Sequence, residues 1–113
     1  MRQISIDAAA AFHAGREFKR DNTKVVYDDG YWCLVLFDNL IAKRRATQQD
    51  FEICTAGFET VTTKDRLNAL NGVSIYQKKG QWYLNDWPWD NTHRPINPKL
   101  ILAQVYNARG FAA

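Results

Sequence analysis

The segment 23-TKVVYDDGYWCLVLFDNLIAKRR-45 decides how this chain folds. Thr23–Asp28 and Tyr31–Phe37 read as strands around Asp29-Gly30, because Asp-Gly readily supplies the positive φ angles of a two-residue hairpin turn. Asp38-Asn39 marks a second turn, and Leu40–Arg45 then reads as a third strand. Beyond ATQQ a fourth run, Asp50–Cys54, completes an antiparallel meander. Tyr31–Phe37 is apolar at every position, which predicts a central strand covered on both faces. Alternation sends Tyr31, Cys33, Val35 and Phe37 to one face and Trp32, Leu34 and Leu36 to the other.

Downstream the period changes. TTKDRLNALNG, from Thr62 to Gly72, reads as a helix with a capping box: Thr62 receives the backbone N–H of Asp65, and the Asp65 carboxylate reaches back. Leu67 and Leu70 share its buried side, and Gly72 stops it. VSIYQ, a Lys78-Lys79-Gly80 turn and QWYLN form a further hairpin. DWPWDNTHRP reads as loop, since its two prolines and an asparagine cannot continue a ladder. Asn97-Pro98 then pairs a cap with a proline at the first helical position, starting a helix that runs to Gly110 with Ile101, Leu102, Val105 and Tyr106 as its apolar stripe.

Upstream, Ser5 or Asp7 caps a short helix through DAAAAFHAG. Ile4, Ala8, Ala11 and Phe12 form its apolar face, and Gly15 ends it. REFKRDNT reads as a connection. The pattern as a whole predicts one α+β domain: an antiparallel sheet of about six strands, made of the four-strand meander plus the later hairpin, with helices packed on it. Within the domain, residues 20–86 form a core, and residues 87–113 extend it by a loop and a terminal helix.

A chain of 113 residues with 46% hydrophobic residues can bury a single core without staples. Its net charge of +3 permits nucleic acid as a partner without requiring it. Cys33 and Cys54 match no metal or redox spacing and are expected to be reduced. The first residues lack the unbroken apolar core of a signal peptide, and no apolar run spans ~18 residues, so a soluble intracellular protein is expected.

TVTTKDRLNAL followed by IYQKKGQWYL resembles an uncharacterised family of small proteins encoded by bacteriophages and prophages. In that family a short meander leads into a Thr-Thr-Lys-x-Arg-Leu-Asn helix and then a Trp-Tyr hairpin. The likeness takes in NTKV and NLIAKR, but neither the N-terminal helix nor the chain after Trp89. The resemblance implies a phage origin and the cytoplasm of an infected cell, and it carries no activity onto these positions.

Three groups of residues are candidates for function. The Thr62-Thr63-Lys64-Asp65-Arg66-Asn68 group could hold a phosphate at a helix N-terminus. The plainer reading is preferred: the threonines and Asp65 serve the cap, and Asp65 would repel an anion. Lys43, Arg44, Arg45, Lys64, Arg66, Lys78 and Lys79, interleaved with Tyr76, Trp82 and Tyr83, could bind single-stranded DNA or RNA on a sheet face. The alternative is that the lysines solvate a turn and the aromatics fill the core. Trp87 and Trp89, on a proline-stiffened loop between Asp86 and Asp90, could anchor a protein partner. Against that, at least one indole is expected to be buried.

Catalysis has little support. His13 and His93 have no companion at ligand spacing, and no nucleophile elbow or phosphate loop is present. The sequence therefore leads to a non-enzymatic phage accessory protein, without cofactor, metal or membrane, that binds a host or phage protein stoichiometrically. Its oligomeric state is left open.

Overall fold

The computed structural model describes residues 1–98, and the expected C-terminal helix lies outside the described residues. Two-residue turns with positive φ at both positions set the strand order. Asp29-Gly30 joins β2 (Thr23–Asp28) to β3 (Tyr31–Leu36), and Phe37-Asp38 joins β3 to β4 (Asn39–Arg45). With β1 (Phe18–Arg20), β5 (Phe51–Ile53) and a late strand β9 (Arg94–Ile96), they form a six-stranded antiparallel sheet in the order β1-β2-β3-β4-β5-β9.

The α+β class and the antiparallel six-stranded sheet agree with the sequence reading, but the sheet is filled differently. The hairpin β6 (Ile75–Lys78) and β7 (Gln81–Leu84) leaves it and pairs with β8 (Trp87–Pro88) in a separate three-stranded sheet. The vacated places go to β1, inside the stretch read as a connection, and to β9, inside the stretch read as loop. Pro88 and Pro95 do not stop these strands because each lies on an outer strand, where a missing N–H breaks no ladder bond.

The second turn falls one residue early, at Phe37-Asp38. The register shifts between Leu34 and Val35, so Leu34 pairs with Ala42 and Val35 with Leu40. Ile41 is the extra residue, and this bulge buries both Ile41 and Ala42. The β3 alternation holds from Tyr31 to Leu36. Leu34 and Leu36 join the core with Val25 and Ala42, while Tyr31 and Lys43 share the opposite face. Both described helices lie on the Leu34 side, so cover on both faces is not what they provide.

Helix α1 (Gln3–Ala14) begins before Ser5 and Asp7, with Arg2 at its N-cap and no side-chain cap bond. Both residues are spent inside the helix: Ser5 is fully buried, and Asp7 pairs with Arg20 at 2.8 Å. Gly15 ends α1 in the left-handed region, φ 73°, where a Cβ would come within 3.1 Å of the Trp32 indole. Helix α2 (Val61–Asn68) is capped by Thr60, whose hydroxyl accepts the Thr63 N–H at 3.1 Å. The capping box at Thr62 does not form, because the Asp65 carboxylate is taken by the Ser5 hydroxyl. One apolar cluster joins Phe12 of α1, Leu67 of α2, the inner face of the main sheet, and Trp82, Leu84 and Trp89 of the small sheet.

Candidate functional site

The Thr-Thr-Lys-x-Arg-Leu-Asn segment holds the two sheets and two helices together. Arg66 is only 2% exposed. Its guanidinium donates to Thr23 Oγ1 at 2.9 Å, Ser5 Oγ at 2.8 Å and Asn22 Oδ1 at 3.4 Å, with Asp65 at 3.5 Å. These bonds tie α2 to α1 and β2. Burial lowers the Arg66 pKa, and the Asp65 charge opposes that shift. Thr63 and Leu67 are buried. Asn68 behaves as a surrogate strand residue: its Oδ1 accepts the Ile75 N–H at 2.6 Å and its Nδ2 donates to the Ile75 carbonyl at 2.9 Å. Lys64 lies over the Trp82 ring at 5.2 Å. Arg66 and Asp65 thus face interior partners.

The basic residues divide in the same way. Arg44 is 3% exposed and donates to the Phe12 carbonyl at 2.8 Å and the Gln48 carbonyl at 2.8 Å, closing the C-terminal end of α1. Burial lowers its pKa. Trp82 is buried beneath the small sheet. Arg44, Arg66 and Trp82 are therefore removed from any nucleic-acid face. Of the others, Lys43 and Arg45 converge on the Tyr31 ring, each 5.1 Å from its centroid. Lys78 and Lys79 stand at the β6–β7 turn of the other sheet. The structure brings together Lys43 and Arg45, and separately Lys64 and Trp82, but does not assemble one patch on one sheet.

The tryptophan segment also splits. Trp89 is 2% exposed, its indole N–H donating to the Thr92 carbonyl at 2.9 Å and its backbone N–H to the Trp82 carbonyl at 3.0 Å. It belongs to the core, which corrects its place in the proposed interface. Trp87, two residues earlier, is 73% exposed. Asp86 and Asp90 are exposed on either side. Asp90 accepts the Thr92 hydroxyl at 2.6 Å and its N–H at 3.2 Å, and these bonds hold its carboxyl below the usual carboxylate range. Tyr76 stacks on Tyr83, with centroids 5.0 Å apart and planes at 12°, and Tyr83 pairs with Pro88 across β7–β8. Tyr76, Tyr83 and Pro88 thus share one face of the small sheet, and Trp87, paired with Leu84, belongs to the other. Burial first, then a hydrogen bond to Asp86, raises the Tyr76 hydroxyl pKa.

The histidines sit apart. His13 packs edge-on against Phe12 and Phe51, and its Nε2 accepts the Asn71 N–H at 3.0 Å. Burial, then the Arg44 charge, lowers its pKa to about 4. His93 Nδ1 stands 3.8 Å from Glu52 on the surface, and the space they share with Cys54 is about 10 Å³, too small for a substrate. Among the described residues no group of three or more His, Cys, Asp or Glu side chains is placed to hold a metal ion.

Two features escaped the sequence reading. An apolar cavity of about 340 Å³ lies between the β3–β4 turn and the start of α2, lined by Leu36, Phe37, Ile41 and Phe58 with threonines around it. The pairing role of Asn68 escaped as well. Neither leaves a periodic signal: the cavity joins the β3–β4 turn to the start of α2, and Asn68 reaches Ile75, seven residues on, across the irregular end of α2.

Fold and surface together define a small α+β domain with a buried polar hub and an exposed indole at Trp87. The chain belongs to the Kyanoviridae Gp96 protein family, a bacteriophage family whose model matches residues 1–100. That span includes α1 and β9, which the motif resemblance did not reach. No curated protein and no solved structure matches the chain. Among the described residues no helix is long and apolar enough to cross a membrane.

Proposed function

We propose that this phage protein is an accessory factor that acts by stoichiometric binding to a host or phage protein, with no catalysis of its own. The observation that carries the reading is Trp87. It is a large apolar side chain left 73% exposed on a backbone fixed on both sides, by Asn85 before it and Trp89 after it. Tryptophan and tyrosine supply much of the binding energy at protein interfaces, and a rigid aromatic loses little entropy on docking. The interface comprises Trp87 with Asp86 and Pro88, and excludes Trp89.

The test is a pull-down from infected-cell lysate with the full chain and with Trp87→Ala. The wild type should retain a partner in stoichiometric amount, and the variant should release it while keeping its near-ultraviolet circular dichroism. Undiminished retention by a folded Trp87→Ala protein would remove Trp87 from the interface and with it the reading.

A further inference from the structure

We propose that the surface receiving Trp87 is a preformed protein pocket with an apolar floor and a cationic lip, and that no strand is added to a sheet edge in the complex. This rests on the protein-binding reading above and adds the shape and charge of the other side.

The edges of both sheets are closed to strand addition. In the small sheet, Leu84 pairs with Trp87 across a two-residue turn, and the Trp89 N–H bonds to the Trp82 carbonyl. Trp87 and Trp89 therefore direct their backbone groups toward β7. Pro88 is the residue facing outward, and it has no N–H to offer. On the opposite edge, both backbone groups of Ile75 are taken by Asn68, leaving Gln77 alone. In the main sheet Pro95 holds the outward position of β9, and Lys19 that of β1. Among the described strands no edge presents two successive open residues, which a docking strand would need.

The indole is instead offered as a knob. Before it, Asn85 is bolted to the 72–74 loop: its N–H donates to the Ser74 carbonyl at 2.8 Å, its Oδ1 accepts the Ser74 N–H at 2.9 Å, and its Nδ2 donates to the Gly72 carbonyl at 3.0 Å. After it, Trp89 is fixed in the core. A side chain held this way suits a cavity that is already formed. Charge selects the lip. Asp86 and Asp90 flank the knob, and neither is in an ion pair among the described residues. Asp90 is committed to Thr92. Asp86 is hydrogen-bonded by the Tyr76 hydroxyl but, as an exposed carboxylate in no such ion pair, keeps acceptor sites and its charge for a lysine or arginine of the partner.

The experiment places the photo-crosslinker p-benzoylphenylalanine at residue 87, 77 or 19 of the full chain, in extract of phage-infected cells. The captured protein is then purified for affinity measurements at low and moderate salt. Capture at 87 and not at 77 or 19 is expected. Trp87→Ala should weaken binding at least about tenfold, Asp86→Lys about tenfold with loss of the salt dependence, and Pro88→Val by no more than about threefold. A partner that needs Trp87 but binds Asp86→Lys equally well overturns the cationic lip and leaves the protein-binding reading standing. Capture at 77 or 19 alone overturns the knob in favour of strand addition. Capture at none of the three positions brings down both.

Discussion

Replacing Arg66 with methionine tests whether the threonine-rich helix is a folding device or a ligand site. The guanidinium donates three hydrogen bonds from a nearly dry position and lies 3.5 Å from the Asp65 carboxylate. Methionine fills much of the volume but leaves Thr23, Ser5 and Asn22 without their donor. Removing one partner of a buried charged network costs about 3–5 kcal/mol. Asp65 retains some solvent access and the Ser5 hydroxyl, and Thr23 keeps its 2.8 Å bond to Asn22, so the lower end applies, about 3 kcal/mol. At roughly 0.24 kcal/mol/K of unfolding entropy for a chain this long, that lowers Tm by about 12 °C. Urea unfolding followed by tryptophan fluorescence should show a lower midpoint at unchanged slope. Arg66→Lys keeps the charge but not the planar fork, so it should recover only part of the loss. A loss below about 1 kcal/mol for Arg66→Met would refute the argument, because surface substitutions commonly cost that little.

Three further outcomes are expected. Protonating His13 forfeits the Nε2 acceptor of the Asn71 N–H. Its folded pKa of about 4 lies below the ordinary 6.5, so its contribution is full above pH ~6.5 and lost as pH falls toward 4, by about 3 kcal/mol at most; Tm measured across that range should fall, and His13→Gln should flatten the curve. Trp89→Ala should cost about 3–5 kcal/mol in urea unfolding and Trp87→Ala less than about 0.5, since only the first opens a cavity. Asn68→Ala should cost about 1–3 kcal/mol by leaving both Ile75 backbone groups unpaired, and amide exchange at Ile75 should quicken.

The meander was legible because local chemistry dictates it. Asp29-Gly30 adopts left-handed angles at little cost, and the run from Tyr31 to Leu36 can only be an interior strand. The Phe37-Asp38 turn was not legible, because a phenylalanine at φ 49° is a poor local choice. It is imposed by the bulge that seats both Ile41 and Ala42 in the core, a requirement set across strands. Strands β1, β8 and β9 are two or three residues long, and they exist because a longer neighbour offers them a ladder. No periodicity can emerge over so few positions.

The candidate sites divided along the same line. Lys64, Arg66 and Asn68 attracted attention as a charged and polar string on a helix, where a ligand reading and a folding reading call for the same residue types. What separates the two readings is direction. Arg66 and Arg44 turn inward to oxygens supplied by α1, β2 and the loop after β4, and Asn68 closes the edge of a strand. Trp87 and Trp89 present the converse case, two residues of identical chemistry within one short motif. Residues two apart share a face of a strand, so alternation does not separate them. Trp89 is held over the core with its indole on the Thr92 carbonyl, while Trp87, at the β7–β8 turn, is left in water. An exposed indole contributes little to stability where it stands, while its neighbours on both sides are firmly bonded. That combination of a fixed base and an unsatisfied tip is what an anchor for another protein requires, and it directs attention to Trp87 before the helix motif.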